Sequence, residues 1–304
     1  MVSGLLELAA FLTAAPVGLA ASAHNGHPAR TSGCGRPAKG TVAPGTEATR
    51  SISVGGITES YELAMPRGYR SVRPYPLILL FYGYGSNAAQ FSTLTGMPRR
   101  GASQGYLVAV PSARSVEWQF APRGSDASDV TALIDTLSSL YCIDRHRIYA
   151  AGFSAGAAFT IVYSCAHEDR IAAIATVAVE FQLGCTRPMS ILAFHGTKDP
   201  LVPYENNATG LSLPGVRVRG TQLNMGDWAR LGRCRPVAGV QRVGSEVLRQ
   251  AWTGCSNSTG VVLYTILGGS HSWPGADPRK SVGLTTNQIS ATAKILVFFR
   301  QHHR

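Results

Sequence analysis

Three short runs of this 304-residue chain hold the residue types from which a nucleophilic catalyst is made. Gly152-Phe-Ser-Ala-Gly156 sets a serine between two glycines, after the apolar run Arg147 to Ala151 and before the apolar run Ala157 to Cys165. A sharp strand-to-helix turn exposes such a serine, and it needs glycines where neighbouring side chains would collide. The pentapeptide alone is a weak signal, because a chain with 33 glycines would show about 0.3 of them by chance. Its position between strand and helix strengthens it. A nucleophilic serine also needs a base, and the base an orienting acid, in the chain order serine, acid, histidine for such a turn. Asp199 stands in His195-Gly-Thr-Lys-Asp199-Pro200, just past an apolar run, and His271 follows Val261 to Leu267 through Gly268-Gly-Ser270. His146 and His167 fall on the far side of the elbow strand and helix, His195 sits at a strand end beside Asp199, and His302 and His303 are in the tail. The chemistry expected is acyl transfer: Ser154 attacks a carbonyl, His271 takes its proton, and Asp199 holds the imidazolium. The oxyanion would be met by the backbone N–H groups of Ala155 and of Tyr84, in the loop Gly83-Tyr-Gly-Ser86. The plainer readings, Asp199 as a turn residue before Pro200 and His271 as a loop polar group, weaken once both occur with the elbow.

These residues must be positioned by the elements between them. Leu77 to Tyr82, Leu107 to Val110, Arg147 to Ala151, Ala173 to Val179, Ser190 to His195 and Val261 to Leu267 read as short strands, several apolar on both faces. Strands apolar on both faces belong in a mostly parallel sheet covered on each side by helices. Val130, Leu133, Ile134, Leu137 and Leu140 repeat at helical spacing and predict a helix over Asp126 to Tyr141. A similar stripe, Ile289, Ala293, Leu296 and Phe299, predicts one over Asn287 to Gln301. Strand and helix in alternation give the α/β class with a doubly wound sheet. Ser51 to Met65 reads as extended chain, and Pro200 to Gly220 as a long loop at the rim of a site. Trp118, Tyr204 and Trp273 are candidates for an aromatic substrate cleft, with ordinary packing as the alternative.

Composition narrows the class further. At 45% hydrophobic and 15% charged residues the chain has a core to bury and is not disordered. The formal charge of +11 is dispersed, with no arginine-rich block and no zinc-finger spacing, so no nucleic-acid partner is expected. Attraction to acidic polymers such as cell-wall glycans fits that charge equally well. Leu5 to Ala20 is apolar and runs into Ala21-Ser-Ala23, so residues 1–23 read as a secretion signal, 24–45 as a Gly/Pro/His linker, and 46–304 as a single catalytic domain. A secreted, extracellular protein without membrane association after cleavage is expected, and nothing demands an oligomer, so a monomer is expected. Six cysteines beyond that signal suggest disulfides. Cys165 with Cys185 and Cys234 with Cys255 flank local loops, and Cys34 with Cys142 follows by elimination among 15 possible pairings. No Cys-x-x-Cys occurs and His302-His303 lacks partners, so neither a metal nor an organic cofactor is expected.

Taken together, Ser32-Gly-Cys-Gly35, PLILLFYGYGSNAAQF from Pro76, Cys142-Ile-Asp before RIYAAGFSAGAAF, LAFHGTKDPLVPY from Leu192, Asp227-Trp228 before Cys234 and GGSHSWPG from Gly268 resemble one known group. It is the secreted esterases of the α/β-hydrolase superfamily that include feruloyl esterases and polyhydroxybutyrate depolymerase-like enzymes. The resemblance spans about residues 32–300 and implies the catalytic set Ser154, Asp199 and His271 and three disulfides. It also implies the substrate class: feruloyl or related cell-wall polysaccharide esters, with short-chain polyhydroxyalkanoates or acetylxylan as the alternative. One departure stands out: the group usually has a histidine before the oxyanion-loop glycine, where this chain has Tyr82. A serine peptidase of the same fold and a non-catalytic glycan-binding protein on this scaffold are the rival readings.

Overall fold

The computed structural model describes residues 29–36, 42–205, 219–277 and 283–304. The expected secretion signal, part of the expected linker and residues 206–218 of the long loop lie outside the described residues. Among the described residues, ten strands form one sheet in the order β1-β2-β4-β3-β5-β6-β7-β10-β9-β8. The central six, β4 (Leu107–Pro111), β3 (Tyr75–Phe81), β5 (Ile143–Phe153), β6 (Ala173–Val177), β7 (Ser190–Gly196) and β10 (Val261–Ile266), run parallel. Every residue of β3, β4, β6 and β7 is buried, which is possible only with both faces covered. The fold is therefore α/β, with a mostly parallel sheet.

Antiparallel hairpins close both edges of the sheet. Ser51 to Met65 is one extended stretch in sequence but folds as part of a hairpin, β1 (Glu47–Val54) turning into β2 (Ile57–Ala64). Gly55 and Gly56, with φ of 59° and 82°, make its two-residue turn, since side chains are strained at two successive positive φ values. At the other edge β8 (Gly239–Val243) and β9 (Val247–Trp252) pair onto β10. Their mixed, half-exposed residues leave no alternation clear enough to read from sequence.

Six α-helices connect the described strands: α1 (Ala88–Thr95), α2 (Met97–Ser103), α3 (Ser125–Leu140), α4 (Ala155–Ala166), α5 (Thr221–Leu231) and α6 (Ala291–Gln301). In α3 the expected stripe of Val130, Leu133, Ile134 and Leu137 is buried. The last helix starts at Ala291, four residues later than its stripe suggests, because the Ser290 side chain accepts from the Ala293 N–H and caps it. Among the described residues no helix is long and apolar enough to cross a membrane.

The bridges Cys34–Cys142, Cys165–Cys185 and Cys234–Cys255 all form. The first ties part of the expected linker to the domain. Thr31 is buried with its hydroxyl on the Tyr141 carbonyl, and the Val42 N–H donates to the Tyr141 hydroxyl. With its cysteines 108 positions apart in sequence, this bridge contributes about 4 to 5 kcal/mol in the loop-entropy account.

Candidate active site

The order of the central strands reverses between β3 and β5, and the carboxyl ends of parallel strands at such a reversal open a crevice. Ser154 sits there, directly after β5 and before α4. Its backbone, φ 54° and ψ −123°, is strained for a residue with a side chain. The flanking glycines make that turn possible: a Cβ on Gly152 would lie 2.2 Å from the Gly156 carbonyl oxygen, and one on Gly156 would lie 2.2 Å from the Phe81 carbonyl oxygen. Both obstacles are backbone and cannot yield, so the elbow packs directly on the end of β3. Gly83, just beyond that end, is so close that a Cβ there would be 3.2 Å from the Ser154 Cβ.

Asp199 and His271 are 72 residues apart and meet through the parallel pairing of β7 with β10, whose following loops lie side by side. His271 Nδ1 is 2.7 Å from Asp199 Oδ2, both groups being buried. The other carboxylate oxygen accepts the N–H groups of Leu201 and Val202, each at 2.9 Å. Burial pushes the Asp199 pKa up, but the hydrogen bond and charge of His271, the Val202 N–H and the nearby His195 outweigh it, so the carboxyl stays below its ordinary value. The His271 ring lies against Phe153 of the elbow, with centroids 4.8 Å apart. Among the described residues no hydrogen bond yet joins it to Ser154; such contacts often form only around substrate.

The expected oxyanion donors, Tyr84 and Ala155, lie just past the end of β3 and at the start of α4. Among the described residues, the backbone N–H groups of Tyr84 and Ala155 have no protein acceptor. Ala155 opens α4, where unpaired N–H groups and the helix dipole favour negative charge. The Tyr84 side chain is exposed, so its backbone N–H is the group that could serve the crevice.

The aromatic candidates are placed differently from a substrate cleft. Trp118 is buried between Phe81, Tyr82 and Phe159, and its indole N–H donates to the Tyr82 carbonyl at 2.8 Å. It anchors the strand end from which the oxyanion loop departs. Tyr82, in the position where a histidine is usual, is itself buried and its hydroxyl accepts the Ala113 N–H at 2.8 Å. Trp273 is buried with its N–H on the Thr292 hydroxyl, tying the His271 loop to α6. Tyr204 is buried and bonds the hydroxyl of Thr265 and the amide of Gln222. All three are large and partly polar, a composition that serves packing and cleft lining alike, and here packing prevails.

Sequence spacing alone gives His195 no role and does not reveal Glu180. The two form a buried pair behind Asp199: His195 Nδ1 is 2.7 Å from Glu180 Oε2, and Nε2 is 2.7 Å from the Val202 carbonyl and 3.6 Å from Asp199 Oδ2. Burial lowers the His195 pKa, but the charge and hydrogen bond of Glu180 reverse this and raise it overall. Held between Glu180 and the Val202 carbonyl, His195 braces the turn whose N–H groups hold Asp199. Glu180 lies in an irregular stretch after β6, and no spacing in the sequence links it to His195.

No family model matches the chain. It is 28% identical over 269 residues to feruloyl esterase D of Neurospora crassa, covering 83% of this chain and 86% of that protein. It is 27% identical over 224 residues to feruloyl esterase B of Piromyces equi, covering 68% of this chain and 41% of that protein. Among solved structures, an acetyl xylan esterase from Aspergillus awamori superposes with a TM-score of 0.60 at 11% identity, over 84% of this chain and 99% of that one, a likeness of fold. The chain is a carboxylic ester hydrolase of the α/β-hydrolase fold, similar to the feruloyl esterases.

Proposed function

We propose that this protein is a secreted serine esterase acting on feruloyl or related esters of cell-wall polysaccharides through Ser154, His271 and Asp199. The observation that carries the reading is the buried 2.7 Å bond between His271 and Asp199 beside the strained Ser154. Ser154 Oγ attacks the ester carbonyl carbon while its proton passes to His271 Nε2. Asp199, kept ionised by its donors, fixes the tautomer that leaves Nε2 open and stabilises the imidazolium. The carbonyl oxygen takes the negative charge and is met by the Ala155 and Tyr84 N–H groups. Collapse breaks the ester C–O bond, His271 protonates the departing alkoxide, and the acyl group remains on Ser154. Water, deprotonated by His271, then attacks the acyl-enzyme; the acyl C–Oγ bond breaks, His271 returns the proton to Ser154 Oγ, and the acid is released.

Three disulfides are consistent with an oxidising, extracellular setting and support the secretory reading of residues 1–23. The aromatic acyl group rests on the likeness to feruloyl esterases. Hydrolysis of methyl ferulate by the parent and by Ser154→Ala tests the proposal, with p-nitrophenyl acetate and a 3-hydroxybutyrate oligomer in parallel. Ferulate release by the parent and not by the variant is expected. Cleavage of the acetyl or hydroxybutyrate ester alone would move the substrate class, and full activity of Ser154→Ala would remove the mechanism.

A further inference from the structure

A second concave site lies at the opposite end of the sheet from Ser154. It is a cavity of about 770 Å³, within the size range of small-ligand pockets. Tyr75, the first residue of β3, Tyr106, just before β4, and Arg147, early in β5, all line it. From Arg147 to Ser154 the chain advances by seven residues, mostly extended, so the cavity is about 20 Å from the nucleophile. No substrate group at the serine reaches it unless the substrate is a polymer.

The charge in this cavity is one-sided. Arg67, Arg73, Arg99, Arg147 and Arg300 line it, against Glu47 as its only carboxylate. Arg147 is already engaged, its Nε lying 2.7 Å from Asp144 Oδ2. Arg300 donates to the neutral Gln104 amide at 2.7 Å, and the Arg73 guanidinium sits 5.6 Å from the centre of the Tyr75 ring. Among the described residues, Arg67, Arg73, Arg99 and Arg300 form no ion pair with a carboxylate. Four guanidinium groups around one hollow repel one another, and a bound anion relieves that repulsion while accepting paired N–H bonds.

We propose that this cavity is a second, non-catalytic site that binds a glycan bearing carboxylate groups, with Arg67, Arg73, Arg99 and Arg300 as its anion-binding residues. Carboxylates spaced along a sugar chain suit guanidinium groups distributed around a hollow. Stacking platforms of the kind single-stranded nucleic acid requires are lacking there: among the described residues the only large exposed aromatic is Tyr84, at the catalytic end. The choice of a glycan rests on the function proposed above, because an acidic polysaccharide held here remains within reach of the serine by its own length.

Calorimetric titration of the full chain with hexagalacturonate tests the site, alongside neutral xylohexaose and inorganic tripolyphosphate. The parent is expected to bind hexagalacturonate and not xylohexaose. The triple variant Arg67→Gln/Arg99→Gln/Arg300→Gln is expected to bind at least about tenfold more weakly, with turnover of methyl ferulate unchanged. The single variant Arg99→Gln, expected to lose about threefold, serves if the triple variant does not fold. Equal binding by parent and variants overturns the site. Equally tight binding of tripolyphosphate, with the same loss in the variants, overturns the assignment to a glycan. Because methyl ferulate is too small to span both sites, its turnover tests the esterase reading separately: binding without turnover would sink the catalytic proposal and leave this site standing.

Discussion

Asp199→Asn is the most informative single change in the proposed triad, because the surrounding hydrogen bonds dictate how the new amide must sit. One carboxylate oxygen of Asp199 accepts two backbone N–H groups, from Leu201 and Val202 at 2.9 Å, and the other accepts His271 Nδ1 at 2.7 Å. Asparagine has a single oxygen. Turned toward the backbone it keeps two hydrogen bonds, whereas turned toward His271 it keeps one and sets its NH₂ against two donors. At about 1 kcal/mol per net hydrogen bond, with a further penalty for opposed donors, the first arrangement dominates. The amide N–H then faces His271, whose Nδ1 must accept, so the ring proton moves to Nε2. That is the nitrogen needed to take the serine proton. A loss of about 10⁴ in kcat, roughly 5.5 kcal/mol of barrier, is expected for a triad locked in the wrong tautomer. KM for methyl ferulate should change little, because the substituted atom does not face the acyl group. The substitution also removes a stabilisation present above the ordinary carboxylate value of about 3.9 and lost as pH falls through the depressed folded-state value. The gap in thermal midpoint between parent and variant should therefore close only in acid. Steady-state kinetics on methyl ferulate, with circular dichroism to confirm the fold, decides the matter. A folded variant that keeps more than about a tenth of the parent kcat would refute the tautomer argument, since a base protonated on the wrong nitrogen costs far more than that.

Two further outcomes follow from the groups behind the site. Glu180→Gln removes the counter-charge of His195, whose raised pKa means that the pair stabilises the fold fully below about pH 6.5 and loses that contribution as pH rises through the folded-state value. Urea midpoints should separate parent and variant by about 1 to 3 kcal/mol near pH 5.5 and converge in alkali, and a gap independent of pH would contradict a charged His195. Trp118→Phe keeps the aromatic packing against Phe159 but loses the indole bond to the Tyr82 carbonyl, so kcat should fall about tenfold, with KM nearly unchanged, as the oxyanion loop loosens. Unchanged kcat with a lowered melting temperature would assign Trp118 to packing alone.

Much of the architecture is legible in the chain because its signals are local. The runs that become β3, β4, β6, β7 and β10 are apolar on both faces, and only the interior of a covered parallel sheet accepts such segments. The glycines around Ser154 report a turn at which a side chain would strike backbone atoms, so the elbow is written in five adjacent residues. Asp199 and His271 are legible because each follows a strand end, and a parallel sheet aligns its strand ends. The hairpin of β1 and β2 is partly hidden, since the dipeptide Gly55-Gly56 marks the turn only if the flanking residues are recognised as two strands.

Other features are decided by packing across long separations. Whether Trp118, Tyr204 and Trp273 line a cleft or fill the interior depends on which atoms surround them, and an indole carries both an apolar body and one donor suited to either place. The burial of all three follows from partners 36, 61 and 19 residues away. The pairing of His195 with Glu180 is likewise invisible in one dimension, because a charge pair has no periodicity and its members come from neighbouring strand ends. The arginines of the cavity lie scattered from position 67 to position 300, and only the sheet gathers them. The chain by itself thus determined the central strands, the elbow and the chain order of the proposed triad, all of which follow from local sterics and hydrophobic pattern. Tertiary structure alone decided which polar and aromatic groups stand behind them, because burial and charge pairing are properties of neighbours in space.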